Sequence, residues 1–144
     1  MPHKVDWYID QKVIFWCLSG DKVPLSDIEE ASTLINKMTD ESSAPLVHTM
    51  IEVNLTPDFK LSDLPQALVH LNNPRTGWTL RYINNRVLEM WAAIISSQKQ
   101  IRFRNFHAIE ECWEFLKSVD QSIPKEPLNL ERIEEIRNRV DEVR

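Results

Sequence analysis

The apolar positions of this chain change period along its length. In "VDWYI" (5–9) they alternate, with Val5, Trp7 and Ile9 on one side, whereas "VIFWCL" (13–18) is apolar without interruption. Alternation marks a strand with one wet face, and a short continuous run marks a strand covered on both. Only "DQK" separates the two, so they are expected to pair as a hairpin, with "SGD" closing the second strand. After Pro24 the period lengthens to that of a helix: Leu25, Ile28, Ala31, Leu34, Ile35 and Met38 share a face, and Ser26 with Glu29 makes a capping-box pattern at its start. Pro45 resets the chain for "LVHTMIEV", expected as a third strand.

Further along, a short helix from Leu64 to Leu71 tolerates Pro65 in its first turn. The turn "NNPRTG" leads into "WTLRYI", where Trp78, Leu80 and Tyr82 alternate with Thr79, Arg81 and Ile83. Asn84 or Asn85 caps "RVLEMWAAIISSQ", which is apolar around much of its circumference and is expected to be the most buried helix. "IRFRNF" alternates again, and "AIEECWEFLKSV" gathers Ile109, Cys112, Trp113 and Leu116 on one helical face.

This order predicts an α/β fold: a mixed sheet with an opening β-hairpin followed by helix-strand units, whose later strands run parallel through right-handed crossovers. The expected organisation is one domain over residues 1–121, a Pro-flanked linker over 122–128 and a C-terminal amphipathic helix over 129–144. A chain of 144 residues with 42% apolar and 27% charged residues suits a single domain with one core.

The order of elements, with "VIFWCLSGD" ending the second strand, "APLVHTMIEV" as the third and "RFRNFHAIEECWEFL" as the last strand and helix, resembles the STAS domain. The likeness is to its SpoIIAA-like branch, the anti-sigma-factor antagonists, and covers roughly residues 5 to 120. The resemblance implies that fold and a tendency to bind protein partners. In that family an Asp-Ser pair followed by glycine, after the third strand, carries a phosphorylated serine. The corresponding stretch here reads "NLTPDFKLSDL" and contains neither the pair nor a glycine.

Composition removes several chemistries. With only Gly20 and Gly77, neither a dinucleotide fingerprint nor a P-loop can be assembled. Cys17 and Cys112 sit in apolar sequence and read as reduced core thiols. His3, His48, His70 and His107 are scattered, without ligand spacing, so no metal site and no cofactor is expected; His107 and Glu111 read as a capping or surface pair. There is no nucleophile elbow, and Glu29/Glu30 and Glu110/Glu111 belong on solvated helix faces, so no enzymatic activity is expected. Trp16, Trp91 and Trp113 fall on apolar stripes, while Trp7 and Trp78 are candidates for partial exposure. The first residues carry no basic-then-apolar leader, and "VIFWCL" and "MWAAII" fall far short of a membrane span; a soluble, cytoplasmic chain is expected.

Three groups remain as candidate sites. Ser62, before Asp63, reads as the cap of the helix that follows, with a phosphorylation site as the alternative. Charge is partitioned: residues 75–107 hold six basic residues and one acidic within a chain of net charge −5. Arg81, Arg102 and Arg104 occupy alternate strand positions and are expected on one open sheet face, with Arg75, Arg86 and Lys99 nearby, as a surface for an acidic partner or an anion. A pI of 5.4 and acidic flanks argue against nucleic acid. In the tail, Ile133, Ile136, Val140 and Val143 form an apolar stripe flanked by Arg132, Arg137, Arg139 and Arg144. The preferred form is a swapped homodimer docking on acidic helices around Glu29/Glu30 or Glu110/Glu114, with packing inside one chain as the alternative. The functional expectation is a non-enzymatic regulatory or protein-interaction module, with a small-ligand or anion-binding protein as the alternative.

Overall fold

The computed structural model describes residues 4–139. Five strands, β1 (Val5–Ile9), β2 (Val13–Pro24), β3 (Val47–Asp58), β4 (Thr76–Ile83) and β5 (Phe103–Phe106), form one sheet in that same spatial order. β1 and β2 pair antiparallel as the expected hairpin, and every later pair is parallel. Each new strand is added on the same side of the last, so right-handed crossovers carry all the intervening helices over one face. That face holds α1 (Leu25–Glu41), α2 (Leu64–Ala67) and α3 (Arg86–Lys99); the other is covered by α4 (Ile109–Val119) and α5 (Leu130–Arg137).

Because both faces are covered, alternate residues of each inner strand feed two cores. Ile14, Trp16, Ile51 and Ile83 pack beneath α1 to α3, while Phe15, Met50 and Leu80 pack beneath α4 with Trp113 and Leu116. Cys17 and Cys112 are both buried and unbridged. Burial pushes the Cys112 thiol up to about 12, with the nearby Glu111 charge acting in the same direction.

Several boundaries differ from expectation. β2 does not stop at "SGD": it stays paired with β3 past a bulge between Gly20 and Val23, where Gly20 and Lys22 take positive φ. Lys22 N–H donates to Thr56 Oγ1, and the Thr56 hydroxyl to Asp21, so both strands run beyond the rest of the sheet. β2 then passes directly into α1 through Pro24, which leaves Ser26 inside the first turn and forms no side-chain cap. Asn85 does cap α3, accepting from the N–H groups of Val87 and Leu88. α3 is not the most buried helix, because it lies at the outer margin of the sheet and only one stripe is covered: Val87, Met90 and Ile94 are 55%, 56% and 38% exposed.

The C-terminal helix folds back onto its own domain. Ile133 and Ile136 are fully buried against the β1–β2 side of the sheet. Arg139 pairs with Asp6 at 2.6 Å, and Arg137 with Glu52 at 2.5 Å; Arg132 donates to the Trp7 carbonyl and lies 3.2 Å from Asp6. The expected acidic dock is therefore Asp6 and Glu52 rather than the Glu29/Glu30 or Glu110/Glu114 helices. The described half of the stripe is consumed within the chain, so the swapped-dimer expectation loses its surface there; Val140, Val143 and Arg144 lie outside the described residues. The segment expected as a linker is pinned as well: Ile123 is buried, Trp113 Nε1 donates to the Glu126 carbonyl, and Asn129 N–H to the Tyr8 hydroxyl.

Candidate functional site

Inward-facing residues of β4 are where the covered faces depart from ordinary packing. Thr79, Arg81 and Ile83 point under α3, into the core built by Trp16, Ile51 and Ile28. Arg81 is 6% exposed. Its guanidinium donates to Ser96 Oγ at 2.5 Å and reaches Asn105 Oδ1 at 3.5 Å, and its Cζ lies 5.6 Å from the centre of the Phe103 ring. No carboxylate among the described residues pairs with it. Burial alone pulls Arg81 down to about 10, so it stays a cation at neutral pH.

Beside it lies a cavity of about 80 Å³. Its walls are aliphatic, from Ile51, Val53, Leu55, Leu88 and Ile95, and the half-buried side chains of Phe59, Leu64, Leu68 and Trp91 stand on the side nearer solvent. Phe59 and Trp91 meet there with ring centres 6.2 Å apart. Three polar side chains enter this lining, Arg81, Thr79 and His70, with Ser96 bonded to the guanidinium outside it. Thr79 Oγ1 and His70 Nε2 are buried and have no hydrogen-bond partner. Buried polar atoms without partners are rare, and each costs about 1–3 kcal/mol unless something answers it.

His70 is held rigidly. The helix after Pro65 breaks at Leu68, and a 3-10 turn over Val69–Asn72 delivers the imidazole under α1. Ser32 Oγ accepts from the His70 N–H at 3.1 Å and lies 2.6 Å from Nδ1. The Ser32 hydroxyl proton finds no acceptor among the described residues other than Nδ1, and with that proton directed there Nε2 carries the ring hydrogen. Burial first, and then the Arg81 charge, hold the ring down to about 3, so it is neutral at pH 7. The site thus offers one cation, one neutral N–H donor and one hydroxyl in an apolar chamber. Its lining contains no carboxylate and no thiol.

The arginines expected on one face are divided. Arg81 and Arg104 lie on opposite faces, because Arg81 is level with Asn105 and Arg104 with Leu80. Arg102 precedes β5 and, like Arg104, is exposed; Arg104 sits 5.0 Å over Phe115. Arg75 is structural: it donates to the carbonyls of Asp40, Ser42 and Ala44, closing the end of α1. Arg86 is exposed at the start of α3. Of the five, Arg81 alone reaches the chamber.

Ser62 is exposed within a 3-10 turn over Leu61–Asp63 and caps neither that turn nor α2. The cap expectation fails because the extended residue that precedes the turn is Lys60, and Asp63, which precedes α2, is already helical, so Ser62 occupies neither capping position. Glu111 does cap, accepting from the His107 N–H. Sequence reasoning missed His70 and Thr79; the available signal was a charge at an inward position of a strand whose two faces are both apolar. Among the described residues no group of three metal-ligating side chains occurs, and no helix is long and apolar enough to cross a membrane. No protein-family model, curated protein or solved structure matches the chain.

Proposed function

We propose that the chain is a non-enzymatic regulatory module that binds a small anionic molecule with an apolar body in the chamber under α3. The observation that carries this is Arg81, a buried guanidinium without a carboxylate. A charge taken out of water is retained only where pairing or function offsets its desolvation. The chamber supplies donors and apolar contact; His70, held down to about 3 with Nδ1 against Ser32, is a poor base, and the Thr79 hydroxyl has no base within hydrogen-bond distance, which favours holding a ligand over transforming one. Thermal melting of the full chain against a panel of small organic and inorganic anions tests it. At least one should raise the midpoint of the wild type and leave Arg81→Met unmoved; equal behaviour of the two proteins across the panel overturns the reading.

A second reading, a protein-interaction module of STAS-like, SpoIIAA-like architecture, draws support from the opening hairpin with its parallel continuation and from the uncovered Val87, Met90 and Ile94 on α3. On this reading the stripe meets a protein partner. Met90→Glu should then abolish a complex recovered from the native host while leaving anion binding unchanged.

A further inference from the structure

We infer that the chamber's ligand is a short aliphatic monocarboxylate, its carboxylate held between Arg81, Thr79 and His70 and its chain lying against Trp91 and Leu88. This rests on the chamber being a ligand site, and it names the chemistry that site selects.

Charge is the first constraint. Arg81 is the one cation in the lining, and His70 is neutral, so the site compensates a single negative charge. A phosphate or sulfate dianion would bring a second charge into aliphatic walls with nothing to pair it. An amine would meet Arg81 with like charge, and an alcohol would leave the guanidinium uncompensated.

Donor geometry is the second. A carboxylate accepts at two oxygens, each with two lone pairs, and an arginine fork presents parallel N–H groups to both. With part of the guanidinium committed to Ser96 and Asn105, the Nε2–H of His70 and the Thr79 hydroxyl supply further donors for a planar, two-oxygen acceptor. Both otherwise orphaned atoms are then answered by the same group.

Size is the third. A cavity of about 80 Å³ is about half of one that admits the six carbons of benzene, and holds roughly three to four heavy atoms. That matches a carboxylate with a short tail and excludes a long acyl chain without rearrangement of the Phe59 and Trp91 side chains.

Titration calorimetry on the full chain at constant ionic strength, with acetate, propionate, butyrate and hexanoate set against inorganic phosphate, sulfate and butanol, tests the assignment. Acetate or propionate should bind most tightly, with butyrate and hexanoate progressively weaker. Thr79→Val should weaken binding several-fold, and Arg81→Met ten- to a hundredfold, the range expected for a charge-assisted bond. Nitrogen-15 spectra of the imidazole give a readout independent of variant folding: the carboxylate should shift His70 Nε2 and leave His48 in place. Tighter binding of phosphate or sulfate overturns the carboxylate assignment but leaves an anion chamber standing. Equal binding of butanol and butyrate overturns the role of charge. No binding by any of these probes overturns the monocarboxylate assignment, while the wider anion panel still decides the parent reading.

Discussion

Among the described residues the sheet buries one histidine on each face, and the two are treated in opposite ways. His48, beneath α4, uses both nitrogens: Nδ1 accepts the Trp78 N–H at 2.9 Å, and Nε2 lies 2.7 Å from Asp120 Oδ2. His70, beneath α1, uses only Nδ1 and turns Nε2 toward the chamber. The same division runs through the neighbouring polar groups. On the α4 face the Tyr8 hydroxyl and Trp113 Nε1 are both satisfied by the returning C-terminal segment. On the other, Thr79 Oγ1 is orphaned and Arg81 lacks an anion. One face is organised for stability, and the other retains unanswered polarity in a dry place, the usual physical signature of a binding site.

The strongest break in this contrast is Gly77→Ala. A Cβ at that position would stand 2.4 Å from His48 Nδ1 and 2.7 Å from Cε1, so the ring must move and surrender both of its bonds. The expected loss is about 3 kcal/mol or more, from overpacking combined with newly unsatisfied polar atoms, read as a lowered denaturant midpoint. Ligand binding by the protein that remains folded should persist, because His48 lies on the far side of the sheet from the chamber.

Arg81→Met should change stability in the opposite direction. Burial lowers the folded Arg81 value from 12.5 to about 10, so at neutral pH the folded state binds this proton less favourably than the unfolded chain does. For a base the sign follows directly: the penalty is full below pH 10 and is relieved as pH rises from 10 towards 12.5. Removing the charge at pH 7 should stabilise the fold by about 1–3 kcal/mol, after allowance for the stranded Ser96 hydroxyl, while weakening anion binding by the same ten- to hundredfold. A destabilised variant would mean that Arg81 is a structural element and would remove the contrast between the faces.

How much of this was legible in the sequence depended on the kind of information involved. The hairpin, the alternation of strands with helices and the Asn85 cap are local patterns, and each appears where the period or the capping residue placed it. Alternation put Arg81 on the strand face opposite Trp78, Leu80 and Tyr82, as found, but that face was expected to be open and is instead covered by α3. The charge suggested the open face, and composition alone does not distinguish an edge arginine from a buried functional one. His70 was out of reach, because its role depends on a Ser32 hydroxyl 38 positions away and on a 3-10 turn that sequence periodicity does not encode. The destination of α5 was likewise set by Asp6 and Glu52, carboxylates that are distant in sequence and lie on strands.

A smaller effect is expected at Asp120, the partner of His48. Partial burial raises its pKa, but hydrogen bonds from His48 and Ser122 outweigh this and hold it at about 2, against 3.8 for the free side chain. A carboxylate with a depressed folded value contributes stability that is complete above pH 3.8 and lost as pH falls towards 2. Asp120→Asn should therefore cost about 1 kcal/mol at pH 7, and the difference from wild type should close over that acid window. A gap that stays constant to pH 2 would show that the amide fails on geometry rather than charge.

The smallest effect belongs to Ser62, which lies at the border between the two treatments: exposed itself, yet in the turn leading to Leu64 and Leu68 of the chamber. Its hydroxyl caps no helix, so Ser62→Ala removes no bond on which the fold relies and should change stability by less than about 0.5 kcal/mol. The chamber is reached from this turn by Leu64, two residues on, so the informative comparison is Ser62→Ala against Leu64→Ala. The first should leave butyrate affinity unchanged within error. The second removes apolar contact from the solvent-facing lining and should weaken affinity several-fold, corresponding to about 1 kcal/mol of lost burial. If Ser62→Glu, which places a charge in the turn, lowered butyrate affinity as much as Leu64→Ala does, the turn would couple its surface charge to the chamber, and phosphorylation at Ser62 would have a physical route to the site.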